Sequence, residues 1–191
     1  MPRSDNLYEL PKNLPVPIDD GACNHLVGMS LPSVPLLSTA GRIVDLSTLP
    51  GRTVLYCYPR TGRPDADPPE GWDEIPGARG CTPQACAFRD HYRDLQAFGA
   101  QVFGLSTQDT EYQREAVEKL HLPFELLSDG RLAFAKALRL PTFEVESMIL
   151  IKRLTLIISD RDITKVFYPV FPPDKNAEEV INWLSQNPHN P

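Results

Sequence analysis

No part of this chain stays apolar for long enough to cross a bilayer: its longest apolar stretch, MILIKRLTLII, is interrupted by Lys152 and Arg153. The N-terminus, MPRSDNLYELPKNLPVPIDDG, lacks the apolar core of a secretion signal, so a cytoplasmic location is expected. An excess of positive charge is missing too. With 19 Lys and Arg against 25 Asp and Glu, the net charge is -6, which argues against nucleic acid or an anionic membrane as the main partner. Cysteine is scarce: four residues are too few for a disulfide scaffold. There is no CxxC and no second pair of ligands at zinc-finger spacing, which disfavours both a structural zinc site and a CxxC reductase motif.

What is present fits one globular domain. The chain has 191 residues, 41% hydrophobic and 23% charged. Its 20 prolines gather mainly near the N-terminus, between Pro59 and Pro76, and after Pro169, where they mark loops. Residues 1–30 read as an irregular polar arm, and residues 31–187 as the folded domain. Two short apolar stretches around Thr39-Ala40-Gly41 predict an N-terminal β-hairpin. RTVLYCYP is a strand ended by Pro59. After a proline-rich loop comes a helix carrying Cys81 and Cys86, then strand AQVFGLST, helix TEYQREAVEKLH, short strand FELLSD and helix RLAFAKALRL. MILIKRLTLIIS is expected as one long strand, ITKVFYPVF as its hairpin partner, and DKNAEEVINWLSQN as a closing amphipathic helix. Strands alternating with helices predict an α/β fold with a central mixed sheet, mainly parallel with an antiparallel edge, flanked by helices. Ligands of such sheets sit beyond the carboxyl ends of the strands, where YCYP hands the chain to the loop before Cys81.

In the stretch ARGCTPQACAFRD, Cys81 lies at a helix start, with Thr82 expected as the N-cap and Pro83 in the first turn. At about 100° per residue, Ala85, Phe88, Tyr92 and Leu95 fall within about 40° of Cys81, which therefore points toward the sheet, whereas Cys86 is turned about 140° away. Free N–H groups and the helix dipole favour a thiolate there, so Cys81 is predicted to be a nucleophile. A buried structural cysteine fits the same position. In an intact helix the two Cα atoms lie about 8.5 Å apart, too far for a disulfide. The pair is thus either two unrelated thiols or a switch that works by local unwinding. Arg153, inside an apolar strand, needs an anionic partner: a thiolate, or a carboxylate such as Asp129 or Glu144. Cys57 reads as core packing and Cys23 as an unassigned free thiol in the arm.

Taken together, VLYCYP, GCTPQACAFRD, VFGLST, PFELLSD and IKRLTLIISDRDITKVF resemble the peroxiredoxins, most closely the peroxiredoxin Q group, also called bacterioferritin comigratory proteins. The resemblance runs from about Pro32 to Leu184. It implies a thioredoxin-like fold, reduction of hydrogen peroxide and alkyl hydroperoxides, and no metal or bound organic cofactor. By position it implies that Cys81 is the peroxidatic cysteine, Cys86 the resolving cysteine, Arg153 the arginine that pairs with thiolate and peroxide, and Pro59 the proline opening the active-site loop. A thioredoxin or similar dithiol would recycle the Cys81–Cys86 disulfide, in a monomer or weak dimer. A one-cysteine peroxidase, or a redox sensor or chaperone-like binding protein using the same switch, is the alternative reading.

Two features depart from the family pattern. The hydroxyl usually found three residues before the peroxidatic cysteine is replaced by Ala78; Thr61 is the expected substitute, with Thr82 the other candidate. Residues 62–80, GRPDADPPEGWDEIPGARG, form an insertion that runs into Cys81. It is expected to be either a lid or docking surface, or a tolerated surface loop.

Overall fold

The computed structural model describes residues 5–189. A seven-stranded sheet has the order β2-β1-β5-β4-β3-β8-β9. β3 (Arg52–Cys57) is its centre: all six residues are buried, as its run of apolar and β-branched side chains demands. It pairs in parallel with β4 (Ala100–Ser106), which pairs in parallel with β5 (Glu125–Ser128). On its other side it pairs antiparallel with β8 (Leu154–Ser159), and β8 with β9 (Asp162–Phe167). The predicted N-terminal hairpin is β1 (Pro35–Ser38) with β2 (Ile43–Asp45), joined antiparallel to β5. Among the described residues no helix is long and apolar enough to cross a membrane.

The pleat of β3 divides the core. Leu55 and Cys57 face one layer, built with Phe134, Ala135 and Leu138 of α4 (Ala133–Leu138). Val54, Tyr56 and Tyr58 face the other, built from α1 (Cys81–Asp90), α2 (Tyr92–Ala97), Leu120 of α3 (Thr110–Leu120), and α5 (Asn176–Gln186). Cys81, Ala85, Phe88 and Leu95 all pack into that second layer, as the helical spacing predicts, although α1 and α2 are separate pieces meeting at His91. Tyr56 stacks on Phe88 with ring centroids 4.6 Å apart.

Three expectations need correction. The sheet is not mainly parallel: β3–β4 and β4–β5 pair in parallel, and its other four pairings are antiparallel, because the N-terminal hairpin and β8–β9 both join it antiparallel. MILIKRLTLIIS is two strands: β7 (Met148–Ile151) leaves the main sheet to pair with β6 (Thr142–Val145), and β8 begins at Leu154. The break falls at Lys152 and Arg153 because each is held elsewhere, Lys152 by Asp20 at 3.1 Å and Arg153 by the start of α1. β6 was invisible in the sequence because its turn, Glu146-Ser147, has positive φ at both residues without the glycine or asparagine that advertises such a hairpin. The third correction concerns Cys23, a free thiol as expected but not a loose one in the arm. It is buried with Leu26 in the same layer as Cys57, and the backbone from Gly28 to Leu31 bonds to Arg161 and Ile163 at the edge of β9. The start of that edge is thereby covered.

The insertion also has structure. Trp72 and Ala78 are buried against Leu150, with Ile75, Phe143, Val145 and Met148 around them. The β6–β7 hairpin and the insertion thus share a small core of their own beside the start of α1.

Candidate active site

The site lies where β3 ends and α1 begins. Tyr58 still bonds to β4, its N–H donating to Leu105, and buried Pro59 then turns the chain out, bringing Arg60 to the rim. At the other side of the insertion, Gly80 is the N-cap of α1 with φ of 105°. This corrects the expectation for Thr82, which sits within the first turn and makes no capping bond. Only glycine suits Gly80: an added Cβ would lie 2.7 Å from Leu10 Cδ2 and 2.8 Å from Pro173 Cγ. The left-handed turn places Cys81 at the first helical position, where backbone N–H groups have no intrahelical acceptor.

Arg153 is only 3% exposed, and its guanidinium is shared among the first turn of α1 and the end of the insertion. Nη2 donates to the Cys81 sulfur at 3.2 Å, to Ala78 O at 3.0 Å and to Arg79 O at 3.2 Å; Nε donates to Gly77 O at 3.3 Å, and Nη1 to Gln84 Oε1. None of these acceptors is a carboxylate. Of the two carboxylates considered as partners, Asp129 instead accepts the N–H groups of Phe134 and Ala135, and Glu144 sits on β6. Among the groups Arg153 touches, the Cys81 sulfur alone can carry a balancing negative charge.

Gln84 fixes this arrangement from behind. Its amide nitrogen donates to Asn176 Oδ1 at 3.0 Å, which orients its oxygen toward Arg153, and Thr155 Oγ1 donates to the same Asn176 oxygen at 2.7 Å. All three are fully buried. Neither Gln84 nor Asn176 stands out in the sequence: one reads as an ordinary helix residue and the other as a polar helix start, and they meet across 92 positions.

The four cysteines are free, and their surroundings separate them. Burial pushes the Cys23 thiol up to about 12, with Asp20 and Asp19 adding to the effect, and burial raises Cys57 further. Cys86 is half-buried on the intact α1; burial raises its thiol and nearby Arg89 partly offsets this. Cys81 differs from Cys86 in that the guanidinium it meets, that of Arg153, is buried with it at the start of α1, 3.2 Å from the sulfur.

Of the two threonines, Thr61 is buried and donates its hydroxyl to Gln108 Oε1 at 3.2 Å, while its N–H donates to the same oxygen. Thr82 instead lines, with Cys81, Arg60 and Arg79, a cavity of about 30 Å³. Ala78 adds no hydroxyl, but its carbonyl accepts both from Arg153 and from the Cys81 S–H, the latter at 3.8 Å. Among the described residues no group of three or more His, Cys, Asp and Glu side chains is placed to hold a metal.

A mixed sheet with a cysteine-bearing helix N-terminus beyond its central strand, and an arginine folded back on the sulfur, has the architecture of the thioredoxin-like redox proteins. The sequence agrees: residues 26–181 match the Redoxin family, and the chain belongs to it. Among curated relatives it is 33% identical to the chloroplastic peroxiredoxin Q of Sedum lineare, spanning 82% of this chain and 76% of that protein. It is 34% identical to the chloroplastic peroxiredoxin Q of Oryza sativa subsp. japonica over 82% of this chain, and spans 65% of the length of that rice protein. Peroxidoxin BcpB from Mycobacterium tuberculosis superposes with a TM-score of 0.70 at 25% identity, covering 85% of this chain and 99% of that one. The thioredoxin-like fold expected from the sequence is the fold observed.

Proposed function

We propose that the protein is a thiol peroxidase that reduces hydrogen peroxide and small alkyl hydroperoxides. The observation that carries this reading is the 3.2 Å contact from Arg153 Nη2 to the Cys81 sulfur, in a buried cluster with no carboxylate. The Cys81 thiolate attacks one peroxide oxygen and the O–O bond breaks. The sulfur is oxidised to a sulfenic acid, and the departing oxygen takes a proton and leaves as water or an alcohol. Arg153 offsets the charge that moves from sulfur to the leaving oxygen. Pro59 opens the loop that frames the cavity, and a threonine hydroxyl orients the peroxide. Thr61 is the substitute expected by position; the commitment of its hydroxyl to Gln108 favours Thr82, which lines the cavity with Cys81.

Cys86 then condenses with the sulfenic acid, expelling water and leaving a Cys81–Cys86 disulfide. An external dithiol such as thioredoxin restores both thiols by two exchanges. A cytoplasmic monomer or weak dimer would meet such reductants in their reduced form. Because α1 is continuous through both cysteines, its first turn must unwind before they meet. A one-cysteine cycle, with an external thiol acting directly on the sulfenic acid, is the competing reading, favoured by that same continuity. Peroxide-treated protein is expected to lose about 2 Da through a Cys81–Cys86 bond, and Cys81→Ser to abolish peroxide consumption. Steady turnover of Cys86→Ser with thioredoxin would establish the one-cysteine cycle; an inert Cys81 in the folded protein would remove the peroxidase reading altogether.

A further inference from the structure

The segment Asp5–Leu10 has no role in the reaction just described, yet it lies across the same cavity. Leu7 lines the space shared by Cys81, Thr82 and Arg60, and also the adjoining space bounded by Thr61, Thr82 and Tyr112. Asp5 forms an ion pair with Arg79, two residues before Cys81, and Leu10 packs against Gly80, one residue before it. The segment is held in shape by a local turn in which Asn6 Oδ1 accepts the N–H of Tyr8 and Asn6 O that of Glu9.

The insertion supplies another wall of the cavity, through Pro68, Pro69 and Trp72. That wall is anchored, since Trp72 is buried against Leu150 and its ring centroid lies 6.2 Å from that of Phe143. The Asp5–Leu10 wall rests on the surface: Asp5 and Tyr8 are exposed and Leu7 and Leu10 only half-buried. The space beside the sulfur is narrow, about 30 Å³, and Leu7 lines it together with Cys81 and Thr82, so a bulky substituent on a peroxide seated at the sulfur would meet the Leu7 side chain.

We propose that residues 5–10 form a strap that sets peroxide size selectivity, admitting hydrogen peroxide and the smallest alkyl hydroperoxides while excluding bulky ones. This rests on the peroxidase reading and assigns the specificity of its site to a part of the chain that contributes no reacting group. Leu7 is the sizing side chain; the Asp5–Arg79 pair and the Leu10–Gly80 contact hold it in place.

The test compares kcat/KM for hydrogen peroxide and for cumene hydroperoxide in the full chain, in a variant lacking residues 1–10, and in Leu7→Ala. The cumene-to-hydrogen-peroxide ratio should rise about tenfold or more in the truncated protein and several-fold in Leu7→Ala, the scale on which small changes in an apolar wall discriminate substrates. If the truncated chain does not fold, Leu7→Ala decides alone. A ratio unmoved in folded variants that still consume hydrogen peroxide overturns the strap and leaves the peroxidase reading standing. Failure of the full chain to consume either peroxide overturns both.

Discussion

Arg153 carries a charge that the interior tolerates because each nitrogen of its guanidinium has an acceptor. Its acceptors are arranged for a planar fork, which lysine cannot reproduce. Arg153→Lys should therefore slow both alkylation of Cys81 and peroxide consumption by about 10- to 100-fold, the equivalent of a charge-assisted hydrogen bond worth about 1.5–3 kcal/mol. Gln84→Ala should slow both by about tenfold, through loss of the group that orients the guanidinium. If Gln84 served stability alone, Tm would fall while the alkylation rate of folded protein stayed unchanged. Cys81 and Arg153 were legible as candidates because each violates its local pattern, a thiol at a helix start and a cation inside an apolar run, and the fold brings the two together. Gln84 and Asn176 violate nothing locally, so their role was not legible.

Among the elements, α1 holds the site together, and its N-terminus depends on a residue without a side chain. Gly80 combines a left-handed φ of 105° with close packing against Leu10 and Pro173. Gly80→Ala should destabilise the fold by about 2–4 kcal/mol in urea unfolding, summing backbone strain and overpacking. Adding Leu10→Ala should recover only the packing part, giving a non-additive double-mutant cycle. An additive result would mean that Leu10 does not press on the Gly80 position. Most elements were readable from periodicity and turn residues. The β6–β7 hairpin was hidden by a turn of Glu146 and Ser147, and the division of the apolar run into β7 and β8 was decided by where Lys152 and Arg153 find partners.

Across the whole molecule, the N-terminal arm joins elements far apart in the chain. Asp20 accepts from Tyr168 Oη at 2.8 Å and from Lys152 Nζ at 3.1 Å. These two bonds, with the Ala22 N–H, hold its carboxyl down to about 2 from an ordinary 3.8. A depressed folded value means that the contribution is complete above about 3.8 and is lost as pH falls through about 2. The difference in unfolding free energy between the native chain and Asp20→Asn should accordingly be constant above pH 3.8 and close toward pH 2. Because both proteins share every other carboxylate, a difference independent of pH would show that the Asp20 charge does not tie the arm down. Reading an irregular arm here misses how its described part, from residue 5 on, is attached, since the short stretch holding Cys23 and Leu26 has no strand or helix period and reaches the core only through folding.

The sequence alone determined the α/β alternation, the central buried strand, and a cysteine at a helix start with a second thiol five residues later, because these follow from local periodicity and helix geometry. Only the tertiary structure decided that Arg153 reaches Cys81 rather than a carboxylate, that Gln84 holds it there, and that Leu7 comes to line the space beside the sulfur. Those are meetings of side chains from distant segments, and such meetings follow from packing in three dimensions, which local spacing along a chain does not encode.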